Sequence, residues 1–419
     1  MSMRIRRPAT IAVPLVLIAV VACARGATSA GSACQLTTVA GSDITKDVPS
    51  SAGALGQDVL MIGTRFQGSA GLALAAFSSN GGWNAGVIAA LGPHVIELDD
   101  VSTLGDEAWA VGALASSAPV AARWDGQTWI STPVRDPGPG EDGFSGVEAL
   151  SPDLVWAVGR HQIGYGFRTL TERWDGRSWT AVPSPNVGDT SNMLKDVDGT
   201  SPKDVWAVGW YVDRQHYRPL VEHWDGTRWK LVPTPDVGTG DGFLSGVAAV
   251  GTGDVWAVGW TARGDSLQPL VEHWDGRTWS VVPGPAGAGR GALAAVAATS
   301  NGVVTVGRLL TTAQPQPLAL VRVGDAWTAW STRRRREFLC VAHRGDGRCG
   351  RSDLGRGNAV PRQHLRGVAR DDRVSGSVVR ASADTSAASG SAAPVAAGRN
   401  RTRRACRSSA RRVTSAAGG

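Results

Sequence analysis

The stretches Asp204-Val-Trp-Ala-Val-Gly-Trp210 and Pro219-Leu-Val-Glu-His-Trp-Asp-Gly-Thr-Arg-Trp229 decide the fold, because the chain repeats them. Nearly the same sequence recurs 50 residues further on, at Asp254–Trp260 and Pro269–Trp279. Self-similarity at a period of about 40–50 residues indicates a repeat architecture in which each copy is one structural unit. The repeat therefore sets the frame for interpreting the rest of the sequence.

Six copies of the repeat are present. Weaker copies surround Leu60 and Val304, and the first Trp of the phrase marks the four strong ones, at Trp109, Trp156, Trp206 and Trp256. A pair of Trp follows in each strong copy, at Trp124/Trp129, Trp174/Trp179, Trp224/Trp229 and Trp274/Trp279. All 17 Trp of the chain lie between Trp83 and Trp330, so the repeat region ends near residue 330.

Each copy divides into four short apolar or alternating runs, which are predicted strands a, b, c and d. Asp-Gly joins the last two runs in every strong copy and predicts a two-residue hairpin, because its turn needs positive φ. Such a turn would place Trp224 beside Thr227 and Trp229 opposite Glu222. Four antiparallel strands per repeat describe one blade of a β-propeller. We therefore predict an all-β propeller over residues 34–330, with six in-frame blades.

The N-terminus has the pattern of an export signal. Three Arg precede an apolar stretch over residues 9–22 that is too short to span a bilayer comfortably. Val20-Val-Ala-Cys23 resembles the lipobox of bacterial lipoproteins and makes Cys23 a candidate lipidation site; ordinary cleavage a few residues further on is the alternative. We expect residues 1–33 to be signal and linker. The protein would then be secreted, or held by a lipid on the outer face of the cytoplasmic membrane.

The net charge of +7 is unevenly distributed. Residues 331–419 hold 20 Arg, no Lys and 6 acidic residues, which gives +14. Residues 1–330 hold 23 basic and 30 acidic residues, which gives −7. An acidic body offers no basic surface for nucleic acid, so we expect no nucleic-acid partner.

The composition changes at Ser331, where Trp, Tyr, Ile and Lys disappear and Arg, Ala, Gly and Ser dominate. A basic binding arm, a disordered tail and translation of a GC-rich gene in the wrong frame are the three interpretations. Back-translation of Arg348–Gly355 in a shifted frame permits Val-Trp-Ala-Val-Gly-Ser-Trp, near the place where a seventh repeat is due. We therefore interpret residues 331–419 as an off-frame, disordered tail that replaces a repeat lost to a frameshift.

The recurring Trp are predicted to be packing residues. Alternation places Trp206 and Trp210 on one face of strand b, and both faces of a propeller blade are covered by neighbouring blades. The residue at position 223 and at its equivalents in the other strong copies is His twice and Arg twice. This exchange argues against a ring of metal-binding imidazoles. Gln35–Val39 resembles a strand d without a partner. Propellers usually close when an N-terminal strand completes the last blade, so with that blade replaced by the tail we expect the ring to stay open and to expose strand edges.

The motif Asp-Val-Trp-Ala-Val-Gly followed by His-Trp-Asp-Gly-x-x-Trp resembles the repeats of exported bacterial propellers in the galactose-oxidase/kelch-like group. The resemblance spans residues 55–330 and implies a propeller, without an assigned activity for most members. Asp225-Gly-Thr-Arg-Trp229 is also similar to the Asp-box of sialidase-type propellers. That motif has a residue between Asp and Gly, which this chain lacks, and it is a structural turn.

The loops differ most on one face of the predicted propeller. Because strands alternate in direction, the b–c and d–a loops share a face, and the b–c loops at 160–168, 211–218 and 261–268 differ sharply. Variable loops on a rigid scaffold commonly carry function, so this face is the candidate binding surface. Its candidate residues are His161, Tyr165, Arg168, Tyr211, His216, Tyr217 and Arg218, and ordinary solvated turns are the alternative.

The predicted function is a binding module for a glycan or protein ligand. A sialidase- or galactose-oxidase-like enzyme and a purely structural surface protein are the alternatives. No phosphate loop, HExxH or GxSxG motif occurs, and the body past the signal has a single Cys, Cys34, so no catalytic residues are predicted. Ca²⁺ at the acidic d–a loops is the one metal considered. We expect a monomer without cofactor that meets the membrane only through its signal or lipid anchor.

Overall fold

The computed structural model describes four parts of the chain, namely residues 18–25, 35–39, 47–330 and 375–378. Within the third part the undescribed positions are 57, 68–69, 80–81, 93–94, 116–117, 189, 265, 285–288, 300–301 and 311–315. Most of the predicted signal segment and most of the predicted tail therefore lie outside the described residues. No helix in the described part has the length and apolar character needed to cross a membrane.

Residues 47–330 form six sheets of four strands, and each sheet is one repeat. The strands pair antiparallel with their neighbours in the chain, so each sheet is a blade with strands a to d. This confirms the predicted all-β propeller of four-stranded blades, with six blades.

The strands of blades 1 to 3 are Asp47–Leu55, Asp58–Gln67, Ala70–Ser79 and Gly82–Val87; Val95–Leu104, Glu107–Leu114, Pro119–Trp124 and Trp129–Ser131; and Gly143–Ser151, Leu154–Ile163, Gly166–Trp174 and Trp179–Ala181. Those of blades 4 to 6 are Asn192–Ser201, Asp204–Asp213, His216–Trp224 and Trp229–Leu231; Asp241–Gly251, Asp254–Arg263, Ser266–Trp274 and Trp279–Val281; and Gly291–Thr299, Gly302–Leu309, Gln316–Val323 and Ala326–Trp330. A short 3-10 helix, Ala89–Leu91, lies between blades 1 and 2.

A Trp in strand b packs each central blade onto the next. Trp109, Trp156 and Trp206 are buried, and each contacts both Trp of the c–d hairpin in the following blade. Five apolar clusters join consecutive blades in the same manner. The first Trp of the repeated phrase is therefore a packing residue between blades, as predicted.

Carboxylates on the inner strands connect neighbouring blades. Asp100 in blade 2 accepts hydrogen bonds from Ser51 Oγ of blade 1 at 2.9 Å and from the Val147 N–H of blade 3 at 2.8 Å. Asp196 and Asp198 in blade 4 accept amide N–H groups of blade 5 at 2.9 and 2.8 Å. Hydrogen bonds to buried carboxylates are stronger than neutral ones, so these residues hold successive inner strands in register.

The Gly of the strand b phrase lies where two strands pass very closely. A Cβ at Gly209 would overlap the carbonyl oxygen of Met193 in strand a. Strand a has a register shift here, between Leu194 and Asp196. The same crowding recurs at Gly112, Gly159 and Gly259. The phrase therefore requires Gly because the bulged strand a leaves no space for a side chain.

The c–d turn is longer than predicted. Trp224 pairs directly with Trp229, and Glu222 pairs with Leu231. The predicted two-residue turn, with Trp229 opposite Glu222, is therefore wrong. Four residues separate the two strands, so both Trp point to the same face and together receive the Trp of the preceding blade.

The Asp of Asp-Gly determines this longer turn. Oδ1 of Asp225 accepts the N–H of Thr227 at 2.9 Å and of Arg228 at 3.0 Å, while the Asp225 N–H donates to the Arg228 carbonyl at 3.3 Å. Gly226 has a positive φ of 93°, as the Asp-Gly signal predicts. The pattern recurs at Asp125, Asp175 and Asp275. The Asp side chain is therefore part of the turn, whereas the prediction from the Asp-Gly dipeptide considers the backbone alone.

Gln35–Val39 is a strand, but it does not complete the last blade. It pairs with Ile18–Arg25, which also pairs with Ser375–Val378. Blade 6 obtains its fourth strand from its own repeat, so Gln35–Val39 takes no part in that blade. Cys23 lies on the strand Ile18–Arg25, and its lipidation stays a prediction. The seventh repeat and the frameshift also stay predictions.

Candidate binding site

Strands b and c continue through the segments predicted as b–c loops. In blade 4 they leave only Arg214 and Gln215 between them, with φ of 47° and 72°. Two left-handed residues match the twist of a tight hairpin. Blade 3 turns in the same place, at Gly164 and Tyr165. The loop prediction was wrong because polar residues interrupt the apolar alternation there, although the hydrogen-bonded ladder continues.

The three Tyr of the candidate site do not meet. Tyr165 is fully exposed at the tip of the blade 3 hairpin. Tyr211 is partly buried and packs against the apolar cluster between blades 3 and 4. Tyr217 contacts aromatic residues of blades 4 and 5. The candidate set predicted from sequence therefore divides into residues with different roles.

His161 supports the backbone at the start of blade 3. Its Nδ1 lies 2.9 Å from Oδ1 of Asp142, whose side chain has no exposed surface. The same oxygen accepts the N–H of Gln162 at 2.8 Å. His161 is thus held to the residue that precedes strand a of its own blade, which is a structural contact.

Arg168 and Arg218 occupy equivalent positions and each anchors a d–a loop. One nitrogen of Arg168 donates to the carbonyls of Gly188 at 3.1 Å and Thr190 at 3.0 Å. The same nitrogen of Arg218 donates to Gly238 at 2.8 Å and Gly240 at 2.9 Å. Both guanidinium groups therefore fix the shape of the face that the sequence selected.

Four aromatic side chains form a continuous strip where blades 4 and 5 meet, and we call Trp210, Tyr217, Phe243 and Trp260 the aromatic strip. The ring centroids of Trp210 and Tyr217 are 5.0 Å apart, and those of Tyr217 and Phe243 are 4.5 Å apart. Phe243 stacks on Trp260 at 4.0 Å. All four are partly exposed, so this strip is an aromatic surface and not an interior cluster.

A polar pair borders the aromatic strip. Oδ1 of Asp241 accepts the N–H of Tyr217 at 3.0 Å and lies 3.3 Å from Nδ1 of His216. The His216 and Asp241 side chains remain 48% and 35% exposed. The strip therefore has an imidazole and a carboxylate within reach of a ligand that lies on its rings.

The corresponding positions at the neighbouring boundaries carry fewer rings. Between blades 3 and 4 they hold Arg160, Phe167, Met193 and Trp210. Between blades 5 and 6 they hold Trp260, Leu267, Ala292 and Arg308. Among the described residues, four aromatic rings meet at the boundary of blades 4 and 5 but not at these two neighbouring boundaries. The aromatic strip therefore distinguishes one blade boundary of a repetitive propeller.

Three members of the aromatic strip were not among the candidates from sequence. Trp210 and Trp260 were assigned to packing, together with Trp206, because they follow it in the repeated phrase. Phe243 lies in strand a, outside the phrase. One signal was available: the second Trp occurs in two copies only, as Trp210 and Trp260, whereas the first occurs in four.

Aspartate side chains in the d–a loops accept hydrogen bonds from the backbone of their own loops. Oδ1 of Asp136 accepts the N–H of Gly138 at 3.0 Å, and Oδ1 of Asp236 accepts that of Gly238 at 2.8 Å. No group of three or more His, Cys, Asp or Glu suited to a metal ion occurs among the described residues.

No protein-family model and no curated protein matches the chain. Among solved structures, the Aleuria aurantia lectin, a six-bladed β-propeller that recognises fucose, is 13% identical with a TM-score of 0.44 over 68% of this chain and 95% of that chain. The SapL1 lectin in complex with α-methyl fucoside is 15% identical, with a TM-score of 0.43 over the same shares. A PL25 ulvan lyase, a polysaccharide lyase, is 7% identical, with a TM-score of 0.44 over 70% of this chain and 83% of that chain. At these values the likeness reaches no further than the architecture.

Proposed function

We propose that the protein is a carbohydrate-binding propeller whose ligand lies on the aromatic strip. The observation that supports this most directly is the contact of four partly exposed rings at one blade boundary, on a fold in which the first Trp of the repeated phrase is buried in all four strong copies. Ligand sites typically combine apolar and aromatic walls with a few placed polar groups.

The chemistry of the aromatic strip suits a sugar ring. The C–H face of a pyranose is apolar and packs on an aromatic face, while its hydroxyl groups need hydrogen-bonding partners. His216 and Asp241 offer such partners beside Tyr217. A glycan therefore satisfies both parts of the site, and a protein ligand with exposed aromatic side chains is the other candidate.

We also propose that the protein acts outside the cytoplasm, either secreted or anchored through Cys23, as a monomer of the galactose-oxidase/kelch-like group. The arginine-led apolar stretch and the lipobox-like Val20-Val-Ala-Cys23 support export, and the repeated phrase supports the group. Mass spectrometry of the mature N-terminus tests the anchor: a diacylated Cys23 is expected, and an unmodified N-terminus beyond residue 23 would remove it.

A glycan array tests the proposed function. The full chain is applied beside a Trp260→Ala variant and a Tyr165→Ala control, which removes a fully exposed aromatic ring outside the strip. We expect the native chain and the Tyr165→Ala control to bind the same glycans and Trp260→Ala to lose them. Equal binding by all three proteins would contradict the proposed site. Cleavage of a bound oligosaccharide would indicate the enzyme alternative instead.

A further inference from the structure

Three glutamates occupy the same position of strand c in consecutive blades: Glu172, Glu222 and Glu272. Their cross-strand partners are Ala157, Ala207 and Ala257. All three Glu side chains are buried. Glu222 lies between Leu220 and Trp224, which belong to the apolar cluster shared by blades 3 and 4. Because alternate residues of a strand share a face, Glu222 lies in that interface, and its two equivalents lie in the interfaces on either side.

Five of the six oxygens of these carboxyl groups have no hydrogen-bond partner among the described residues. Both oxygens of Glu222 and Glu272, and Oε2 of Glu172, are buried without a partner in the described structure. Burial raises the pKa of Glu222, and the hydroxyl of Ser184 has the smaller and opposite effect. The Ser184 hydroxyl donates its proton to Oγ1 of Thr169 at 2.7 Å. A buried polar group without a partner costs free energy, and a buried charge without one costs far more.

The fold does not need a carboxyl group at this position. The equivalent residue is Ala122 in blade 2 and Leu320 in blade 6, and both are buried. An apolar side chain therefore fills the same site in two blades of the same ring. The three glutamates add something other than packing.

Among the described residues, no charged group acts on the pKa of any of the three glutamates. Glu222 is flanked by Ala207 on strand b and Leu231 on strand d. The ionisable neighbours His223 and His273 alternate to the opposite face of strand c, where their Nε2 atoms lie 2.8 Å from Asp204 and Asp254. Burial raises the pKa of Glu172 to about 7 and of Glu272 to about 8, and it raises the pKa of Glu222 well above its usual range.

We propose that Glu172, Glu222 and Glu272 form a proton-dependent lock: as neutral acids they seal three successive blade interfaces, and their ionisation admits water and loosens blades 2 to 5. The lock makes the propeller less stable as the pH rises through neutrality. One of the three interfaces, that between blades 4 and 5, also carries the aromatic strip, but the lock does not depend on what the strip binds.

The sign of the effect follows from linkage. A carboxyl group whose pKa is raised in the folded state is neutral in both states at low pH, so it adds no pH dependence to the stability there. Above the ordinary pKa of 4.5 the unfolded chain releases its proton while the folded chain retains it. Stability therefore falls from about pH 4.5 to about pH 8 and levels off when the folded groups also ionise.

The experiment follows thermal unfolding of the full chain from pH 5 to pH 9. The triple variant Glu172→Gln/Glu222→Gln/Glu272→Gln keeps the shape of the neutral acid and cannot ionise. Glu141→Gln, on an exposed residue, is the control. We expect the Tm of the native chain and of the control to fall by roughly 10 °C over this range, and that of the triple variant to change much less.

A second readout keeps the proposal falsifiable if the triple variant does not fold. Infrared spectroscopy of the native chain distinguishes a protonated carboxyl group from a carboxylate by its carbonyl band. Protonated carboxyl bands at pH 6 that resist deuterium exchange and disappear by pH 9 are expected. Their absence at pH 6, or equal pH slopes for the native chain and a folded triple variant, would overturn the lock.

Discussion

The indole of Trp156 in blade 3 lies 4.8 Å from that of Trp224 in blade 4, at an interplanar angle of 56°. A second ring of blade 4, Trp229, meets Trp156 at 5.1 Å and 80°, which is an edge-to-face contact. One strand b residue thus fills the space between two rings of the next blade. Tilted and edge-to-face contacts at these distances are the favoured geometries of aromatic pairs.

Replacing Trp156 with Ala is expected to lower the free energy of unfolding by about 3–5 kcal/mol, because it removes a buried indole and leaves a cavity between blades. Urea denaturation followed by circular dichroism measures the change. Tyr165→Ala, which removes an exposed ring, is the control and should shift stability by less than about 0.5 kcal/mol. Comparable effects of the two substitutions would disprove the packing role.

Gly209→Ala is expected to destabilise the fold by about 1–3 kcal/mol although it adds a single methyl group, because that group overlaps the Met193 carbonyl. Gly251→Ala is the matched control, since a Cβ there meets open space and Gly251 has no positive φ. Chemical denaturation of both variants provides the comparison. A Gly209→Ala variant as stable as Gly251→Ala would show that the strands separate at no cost.

Arg218→Ala is expected to release the d–a loop of blade 4, because it removes both hydrogen bonds to the carbonyls of Gly238 and Gly240. Hydrogen exchange with peptide resolution should show faster exchange in residues 232–240. The equivalent change Arg168→Ala serves as a reciprocal control, with faster exchange in residues 182–191 and none in the loop of blade 4. Unchanged exchange in both loops would remove the anchoring role.

The Asp-Gly turns predict loss of stability in acid. Hydrogen bonds from loop N–H groups lower the pKa of Asp125, Asp175 and Asp275 below the ordinary 3.8, and the Lys230 ammonium group together with the turn lowers that of Asp225. A depressed pKa adds stability that is present above pH 3.8 and disappears as pH falls further. Asp225→Asn, which can still accept the turn hydrogen bonds, should therefore weaken the dependence of Tm on pH between pH 2 and pH 5. A slope identical to that of the native chain would contradict this.

The architecture could be predicted from sequence because Trp156 and its equivalents make the same contact between blades in several repeats. A contact that recurs in this way appears in the sequence as a repeated motif. The hairpin register could not, because the Asp225 side chain extends a turn that the Asp-Gly rule treats as two residues. Strand length was underestimated for a similar reason, since the ladder between strands b and c continues as far as the pair Asp213 and His216, where apolar periodicity no longer reports it.

The candidate site was only partly predictable, because it arises from contacts between repeats. Tyr217 was selected because it lies on the face where the copies vary most, and the binding role of that face stays a prediction. Its contact with Phe243 joins strand c of one blade to strand a of the next, which no spacing within a repeat reveals. His161, Arg168 and Arg218 were selected for the same variation and prove to be supports of that face.

The most direct test of the carbohydrate site is a calorimetric titration of the full chain with the best glycan from the array. Loss of one stacking ring from the strip, in Trp260→Ala, should weaken binding by about tenfold, which corresponds to about 1.4 kcal/mol. Tyr165→Ala should bind as the native chain does. If Trp260→Ala retains native affinity, or if the native chain binds no glycan at all, the aromatic strip is not a carbohydrate site.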